Sequence, residues 1–160
     1  MLGKLTRWLR MLGCDVKYHN NLSDDELIKT AKNEDRILLT CDVQLYKRAL
    51  MSHVRSYLIK CSTETERLAE ITKQFNIKLE INVKNSRCPK CNAKLQDVSK
   101  DKVRSIVPQA TLCLFEEYWR CLGCGQVYWQ GSHWRKIAQK LMEAKVLTSK
   151  NKFFYEINSF

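Results

Sequence analysis

Apolar positions in the first half of the chain alternate between helical and strand-like spacing. Residues 2–13 (LGKLTRWLRMLG) carry leucines at helical intervals, and Gly13 favours a helix end there. Residues 36–40 (RILLT) form a continuous apolar run, which is typical of a strand covered on both faces. Further helices are predicted over about 24–34, 43–51 and 62–75, and further strands over 14–18, 54–59 and 78–83. This alternation predicts an α/β fold with a mainly parallel sheet and helices on both faces.

The pattern changes after a polar connector at 84–87 (KNSR). Two short strands, 95–98 and 117–120, are predicted on either side of a loop that contains Pro108, and a helix is predicted over 135–147. The apolar residues of this helix share one face: Ile137, Leu141, Ala144 and Leu147. We therefore expect an α/β domain over 1–84, a small domain over 85–136, and a C-terminal amphipathic helix and tail over 137–160.

Four of the eight cysteines occur as two C-x-x-C pairs, Cys88 with Cys91 and Cys121 with Cys124. This spacing lets a tight turn aim two thiolates at one metal ion, and two such turns supply the four sulfurs of a closed, structural zinc site. The residues that follow the pairs, Asn92 and Gly125, tolerate the positive φ that such turns need. Redox-active pairs or disulfides are the alternative, but redox pairs normally open a helix, which neither pair is predicted to do. The sequence thus favours a zinc ribbon with structural Zn²⁺.

The charge balance indicates a polyanionic partner. Lys and Arg number 28 against 17 Asp and Glu, which gives a formal net charge of +11, spread over the chain. Such a field attracts nucleic acid, and a basic but merely solvated surface is the alternative. The chain contains no apolar run of membrane-spanning length and no secretory leader pattern, and its other four cysteines lie singly in apolar segments. We therefore expect no membrane partner and a reducing, cytoplasmic location.

Acidic residues in the first half lie next to strand-like segments. Asp42 comes two positions after RILLT, and Asp24 and Glu26 lie where a helix begins; such positions gather at one edge of a parallel sheet. Carboxylates at that edge could hold Mg²⁺ or Mn²⁺, which activate water in phosphodiester cleavage. The same residues are also suited to capping helices, so spacing alone leaves both roles open.

Aromatic and basic residues cluster after the second cysteine pair. Aromatic faces stack on unpaired bases while cations meet phosphates, which is a combination suited to RNA. The candidate RNA contacts in this cluster are His133, Trp134, Arg135 and Lys136. Basic residues on predicted helices are further candidates: Arg7, Arg10, Lys47 and Arg48. We expect Trp119 and Tyr128 to form the small core of the ribbon instead, and for the basic helix residues a solvated face is the alternative.

Several segments resemble the Mut-seven C-terminal (Mut7-C) RNase domain family. The similar segments are MLGKLTRWLRMLGCD, SDDELIKTA, RILLTCD, RCPKC and WRCLGCGQVYWQGSHWRKI, in this order over about residues 1–136. The resemblance implies a PIN-like, metal-dependent ribonuclease domain followed by a zinc ribbon. It places the family's acidic positions at Asp24 and Asp42, with Glu26 as a weaker candidate.

The sequence departs from that family in two places. Members usually begin with a short apolar strand that ends in a metal-binding aspartate, just before the segment that here starts at Met1; either the true start lies upstream, or the strand is lost. Relatives with a related motif often carry a second acid where this chain has Gln44. Two hypotheses follow. The protein is a Mg²⁺- or Mn²⁺-dependent endoribonuclease, or it is a catalytically inactive, zinc-containing protein docked on ribosomal or other structured RNA.

Overall fold

The computed structural model describes residues 2–19 and 21–157, with side chains described as far as residue 149. The helices are α1 (Gly3–Met11), α2 (Asp24–Asn33), α3 (Val43–Met51), α4 (Glu64–Gln74), α5 (Lys100–Val103), α6 (Gln109–Leu114) and α7 (His133–Ile157). The strands are β1 (Leu38–Thr40), β2 (Ser56–Leu58), β3 (Leu95–Val98), β4 (Tyr118–Cys121) and β5 (Val127–Tyr128). The mixed α/β class predicted from the sequence is confirmed.

Helices cover both faces of the sheet in the first half, as predicted. The strands β1 and β2 pair in parallel, with Leu39 opposite Tyr57. Successive side chains of a strand point to opposite faces. Accordingly, Leu39 packs into a core built from α1, α4 and α7, whereas Leu38 packs into a second core built from α2 and α3.

The C-terminal helix α7 packs against the first half of the chain. Leu141 and Ala144 are buried in the same core as residues of α1 and α4, and Ile137 and Leu147 pack at its margin. The predicted apolar face is therefore confirmed. The helix is longer than its predicted range, beginning at His133 and continuing to Ile157.

Two predicted strands, 14–18 and 78–83, do not form, so parallel pairing within the described residues is limited to β1 and β2. The backbone of Val16 explains the first difference: its N–H donates to the Asn92 side chain, and its carbonyl accepts from Arg10. A neighbouring strand cannot use groups that side chains already occupy. In the second segment Leu79 is buried, but the chain turns from Asn82 onward. The N–H groups of Asn85 and Ser86 both donate to the Asn82 carbonyl.

A cleft of about 840 Å³ lies beside β1, lined mainly by apolar side chains of α1, of the extended segment 14–19 and of β1 itself. The N–H of Leu38 donates to Arg55, and the carbonyl of Thr40 accepts from Ile59, so both residues direct their backbone groups toward β2. In a parallel ladder the residue between them directs its groups the other way. The N–H and carbonyl of Leu39 therefore lie on the edge of the sheet that faces away from β2.

The second half contains an antiparallel sheet in the order β3-β4-β5. The segment around Pro108 was predicted as a loop, but it forms the short helices α5 and α6. Its apolar residues explain the difference, because they pack with Tyr118 and Val127 into a third core; these residues are Val103, Val107 and Leu112. Trp119 is buried, as predicted, and Tyr128 is half-buried.

Candidate metal centre and nucleic-acid interface

The four paired cysteines converge on one point between two turns. Their sulfur atoms all lie within 4.8 Å of one another, with Sγ–Sγ distances of 3.7 Å for Cys88 and Cys124 and 3.3 Å for Cys91 and Cys121. Cys88 and Cys121 are buried, whereas Cys91 and Cys124 reach the surface. This is a site that can hold one metal ion with four sulfur ligands, and the convergence predicted from the spacing is confirmed.

The two turns, residues 88–92 (the first knuckle) and 121–125 (the second knuckle), repeat the same backbone pattern. The N–H of Asn92 donates to the Cys88 carbonyl, and the N–H of Gly125 donates to the Cys121 carbonyl, at 2.9 and 3.1 Å. Both donors have positive φ, +74° at Asn92 and +72° at Gly125, as predicted. The two knuckles approach each other closely at Gly123. A side chain there would place its Cβ 2.8 Å from the Cβ of Ala93, the residue that follows the first knuckle, which is too close for any residue but glycine.

Hydrogen-bond donors surround the sulfur atoms. The N–H groups of Gly123 and Cys124 donate to the Cys121 sulfur at 3.3 and 3.4 Å. The backbone N–H of Ala93 lowers the pKa of the Cys91 thiol to about 6, whereas burial raises that of Cys121 to about 12. A low thiol pKa favours the thiolate, which is the form that binds metals.

Arg10 of α1 attaches the first knuckle to the first half of the chain. Its side chain is 7% exposed, and it donates to the carbonyls of Val16 (2.8 and 3.0 Å), Pro89 (3.0 Å) and Lys90 (3.2 Å). We predicted Arg10 as an RNA contact. The structure places its guanidinium in the interior, where it bonds carbonyls of the protein itself.

A second link between the halves runs through Asn92 of the first knuckle. Its side-chain amide donates to Asp15 Oδ1 at 2.6 Å, and its amide oxygen accepts from the N–H of Val16 at 3.0 Å. The bond from Asn92, together with one from Arg36, lowers the pKa of Asp15. No periodicity in the sequence indicates these contacts, which join residues more than 70 positions apart.

Each carboxylate predicted as catalytic has a partner within the chain. Asp42 caps α3, accepting from the N–H groups of Gln44 (2.6 Å) and Leu45 (3.0 Å). Glu26 completes a capping box with Ser23 at the start of α2, and these bonds lower the Glu26 pKa.

Asp24 is held by a cation that the sequence did not assign to it. Arg48 of α3 donates to Asp24 Oδ2 at 3.0 Å and also pairs with Asp25. Arg48 was predicted as an RNA contact, and the structure instead directs it toward these two carboxylates. Within the described part of the chain, the four cysteines are the only group of three or more potential ligands close enough to share a metal ion.

The candidate RNA contacts at the start of α7 lie largely in solvent. His133, Arg135 and Lys136 are exposed, and Trp134 is half-buried. Arg7 on α1 and Lys47 on α3 are exposed as well, although on other helices. The structure thus keeps these predicted residues at or near the surface.

Basic side chains of α1 and α7 come together at the start of α4. The indole N–H of Trp8 donates to Glu64 at 2.7 Å, and Lys4 forms an ion pair with the same carboxylate at 3.5 Å. Trp8 first, and then Lys4 and Lys140 of α7, lower the Glu64 pKa. One carboxylate therefore faces cations from two helices, and Lys140 also forms an ion pair with Glu143 at 3.3 Å.

The fold and the cysteine site define a small mixed α/β protein with one centre suited to a metal ion. The sequence profile described as "Mut7-C RNAse domain" matches residues 1–141, so the chain belongs to the Mut7-C RNase domain family. A human protein named "Exonuclease mut-7 homolog" is 32% identical over 111 residues, which cover 67% of this chain and 13% of that protein. The chain thus matches only a small part of that relative. No solved structure matches this chain. In the described residues, no helix combines the length and the apolar character needed to cross a membrane.

Proposed function

We propose that this protein binds RNA and contains one structural Zn²⁺, without using its carboxylates to cleave RNA. The interactions of those carboxylates within the chain favour binding over cleavage. Asp42 and Glu26 take part in helix caps, and Asp24 is paired with Arg48. The formal net charge of +11 and membership of a ribonuclease-domain family support nucleic acid as the ligand. Docking on ribosomal RNA in the cytoplasm belongs to the same proposal.

The sulfur geometry supports zinc as the metal. A tetrahedral ion with Zn–S bonds of about 2.3 Å requires sulfur atoms about 3.8 Å apart. The distance between Cys88 and Cys124 is 3.7 Å, and all four sulfurs fit within 4.8 Å. Four thiolates leave no open coordination position, so the metal would serve the fold rather than activate water.

The RNA-binding surface is tested by removing the charges at the start of α7. A variant with His133→Ala, Arg135→Ala and Lys136→Ala should bind a single-stranded RNA or an RNA stem-loop roughly tenfold more weakly, with a salt dependence shallower by about 1–2 in log–log slope, because phosphate contacts are lost. Filter binding at several salt concentrations measures both quantities. A matched control, Lys29→Ala with Lys32→Ala on the exposed side of α2, should bind like the wild type. Equal binding by all three proteins would contradict this surface.

A metal-dependent endoribonuclease is the second candidate. Its support is the description of the family as an RNase domain and the position of Asp42, which directly follows β1 and lines the cleft. The test is Asp42→Asn, because Asn also caps helices and should leave α3 intact.

Incubation of RNA with the protein and Mn²⁺ distinguishes the two candidates. Under our proposal, wild type and Asp42→Asn both leave the RNA intact, as does the exposed control Asp101→Asn on α5. Cleavage by the wild type and by Asp101→Asn that disappears in Asp42→Asn would instead establish the enzyme.

A further inference from the structure

The hydroxyl of Tyr128 lies 3.0 Å from the sulfur of Cys88. Tyr128 belongs to β5, where it is half-buried and pairs across the ladder with Trp119. In the described residues, it is the one side chain other than a cysteine with a hydrogen bond to any of the four clustered sulfurs.

The direction of this hydrogen bond follows from the charge on a metal-bound cysteine. A ligating thiolate carries no proton and can only accept, so the phenol O–H must be the donor. Four thiolates bring more negative charge than one divalent ion neutralises, and donors that face the sulfurs disperse the excess. Backbone N–H groups do this for Cys91 and Cys121.

Cys88 differs from those two cysteines. It is fully buried, with 0% of its surface exposed, so water cannot supply the missing donor. Its own N–H and carbonyl are both used inside the first knuckle, where they bond Ala93 and Asn92. The Tyr128 hydroxyl is therefore placed where the most enclosed of the four sulfurs needs a donor.

We propose that Tyr128 is a positioning residue of the metal centre, and that its hydrogen bond to the Cys88 thiolate retains the metal. This inference rests on the proposed four-sulfur metal site. The bond joins the third strand of the sheet to the first knuckle, so it orients the sulfur as well as stabilising its charge. Outer-shell partners of this kind typically change metal affinity by about 10–100-fold when they are removed.

The test uses the full-length protein loaded with Co²⁺, whose sulfur-to-cobalt charge-transfer band reports on each thiolate. Tyr128→Phe removes only the oxygen. We expect Co²⁺ and Zn²⁺ to bind about 10–100-fold more weakly in competition with a chelator. The charge-transfer band should move to longer wavelength, because a thiolate without its donor gives up electron density more easily.

Tyr118→Phe is the matched control. That hydroxyl belongs to the neighbouring strand β4 but donates to the carbonyls of Thr111 and Phe115, so its loss should leave the band and the metal affinity unchanged. An unshifted band and an affinity within about twofold of wild type in Tyr128→Phe would overturn the role of Tyr128 while leaving the metal site standing. A wild-type protein that shows no charge-transfer band with Co²⁺ would overturn the metal site itself, and this inference with it.

Discussion

Removing the metal with a chelator should unfold the second half of the protein, roughly residues 88–134. The apolar core there is small, and a metal ion bound by the four clustered cysteines would join the two knuckles. Structural zinc contributes on the order of 10–16 kcal/mol in small zinc domains, which is comparable to the total stability of an ordinary domain. The core formed by α1, α4 and α7 should remain folded, because it contains no metal ligand.

Amide hydrogen exchange with and without chelator measures this effect. The strands β3, β4 and β5 should lose protection, α4 should keep it, and added Zn²⁺ should restore the original pattern. The segment 14–19 should lose protection together with the strands, because Val16 is held by Asn92 of the first knuckle. Unchanged protection of β3–β5 after complete removal of the metal would contradict a structural role for it.

Replacing Arg10 with alanine should destabilise the protein by about 3–5 kcal/mol. The substitution removes the charged donor of the Val16, Pro89 and Lys90 carbonyls, and a hydrogen bond to a charged group contributes about 1.5–3 kcal/mol. Few single substitutions in a helix have so large an effect.

Urea unfolding of the zinc-loaded protein measures the change. Arg7→Ala is the control, because Arg7 lies on the same helix but is exposed, and its loss should change the free energy of unfolding by no more than about 0.5 kcal/mol. Equal stability of the two variants would show that the guanidinium of Arg10 does not join the halves.

The sequence predicted most of the helices and the convergence of the cysteines, because both depend on local spacing. Signatures such as Ser23 with Glu26 and Thr63 with Glu66 mark the starts of α2 and α4, and both form complete capping boxes. In the knuckles, the C-x-x-C spacing predicted a positive φ at the following residue, and Asn92 has one. These features involve residues within a few positions of each other, and spacing along the chain reports on such contacts directly.

Contacts between distant residues had no comparable signal. A basic residue on an amphipathic helix is normally predicted to be exposed to solvent. Arg10 is buried because it bonds a knuckle almost 80 residues away. The same holds for Arg48, whose carboxylate partners lie on a different helix. For Asp42, spacing allowed both a catalytic and a capping role, and only the hydrogen bonds to Gln44 and Leu45 show that it caps.

Among the described residues, β1 pairs with a strand on one edge alone, so its other edge is open. Unpaired strand edges beside apolar surface are the places where separate molecules join and aggregate, and short strands and charged neighbours limit such joining. Here β1 has three residues, and the cleft beside it is bordered by the ion pairs of Lys17 with Glu34 and of Arg36 with Asp15. Charged side chains in this position are of the kind that limits self-association at a sheet edge.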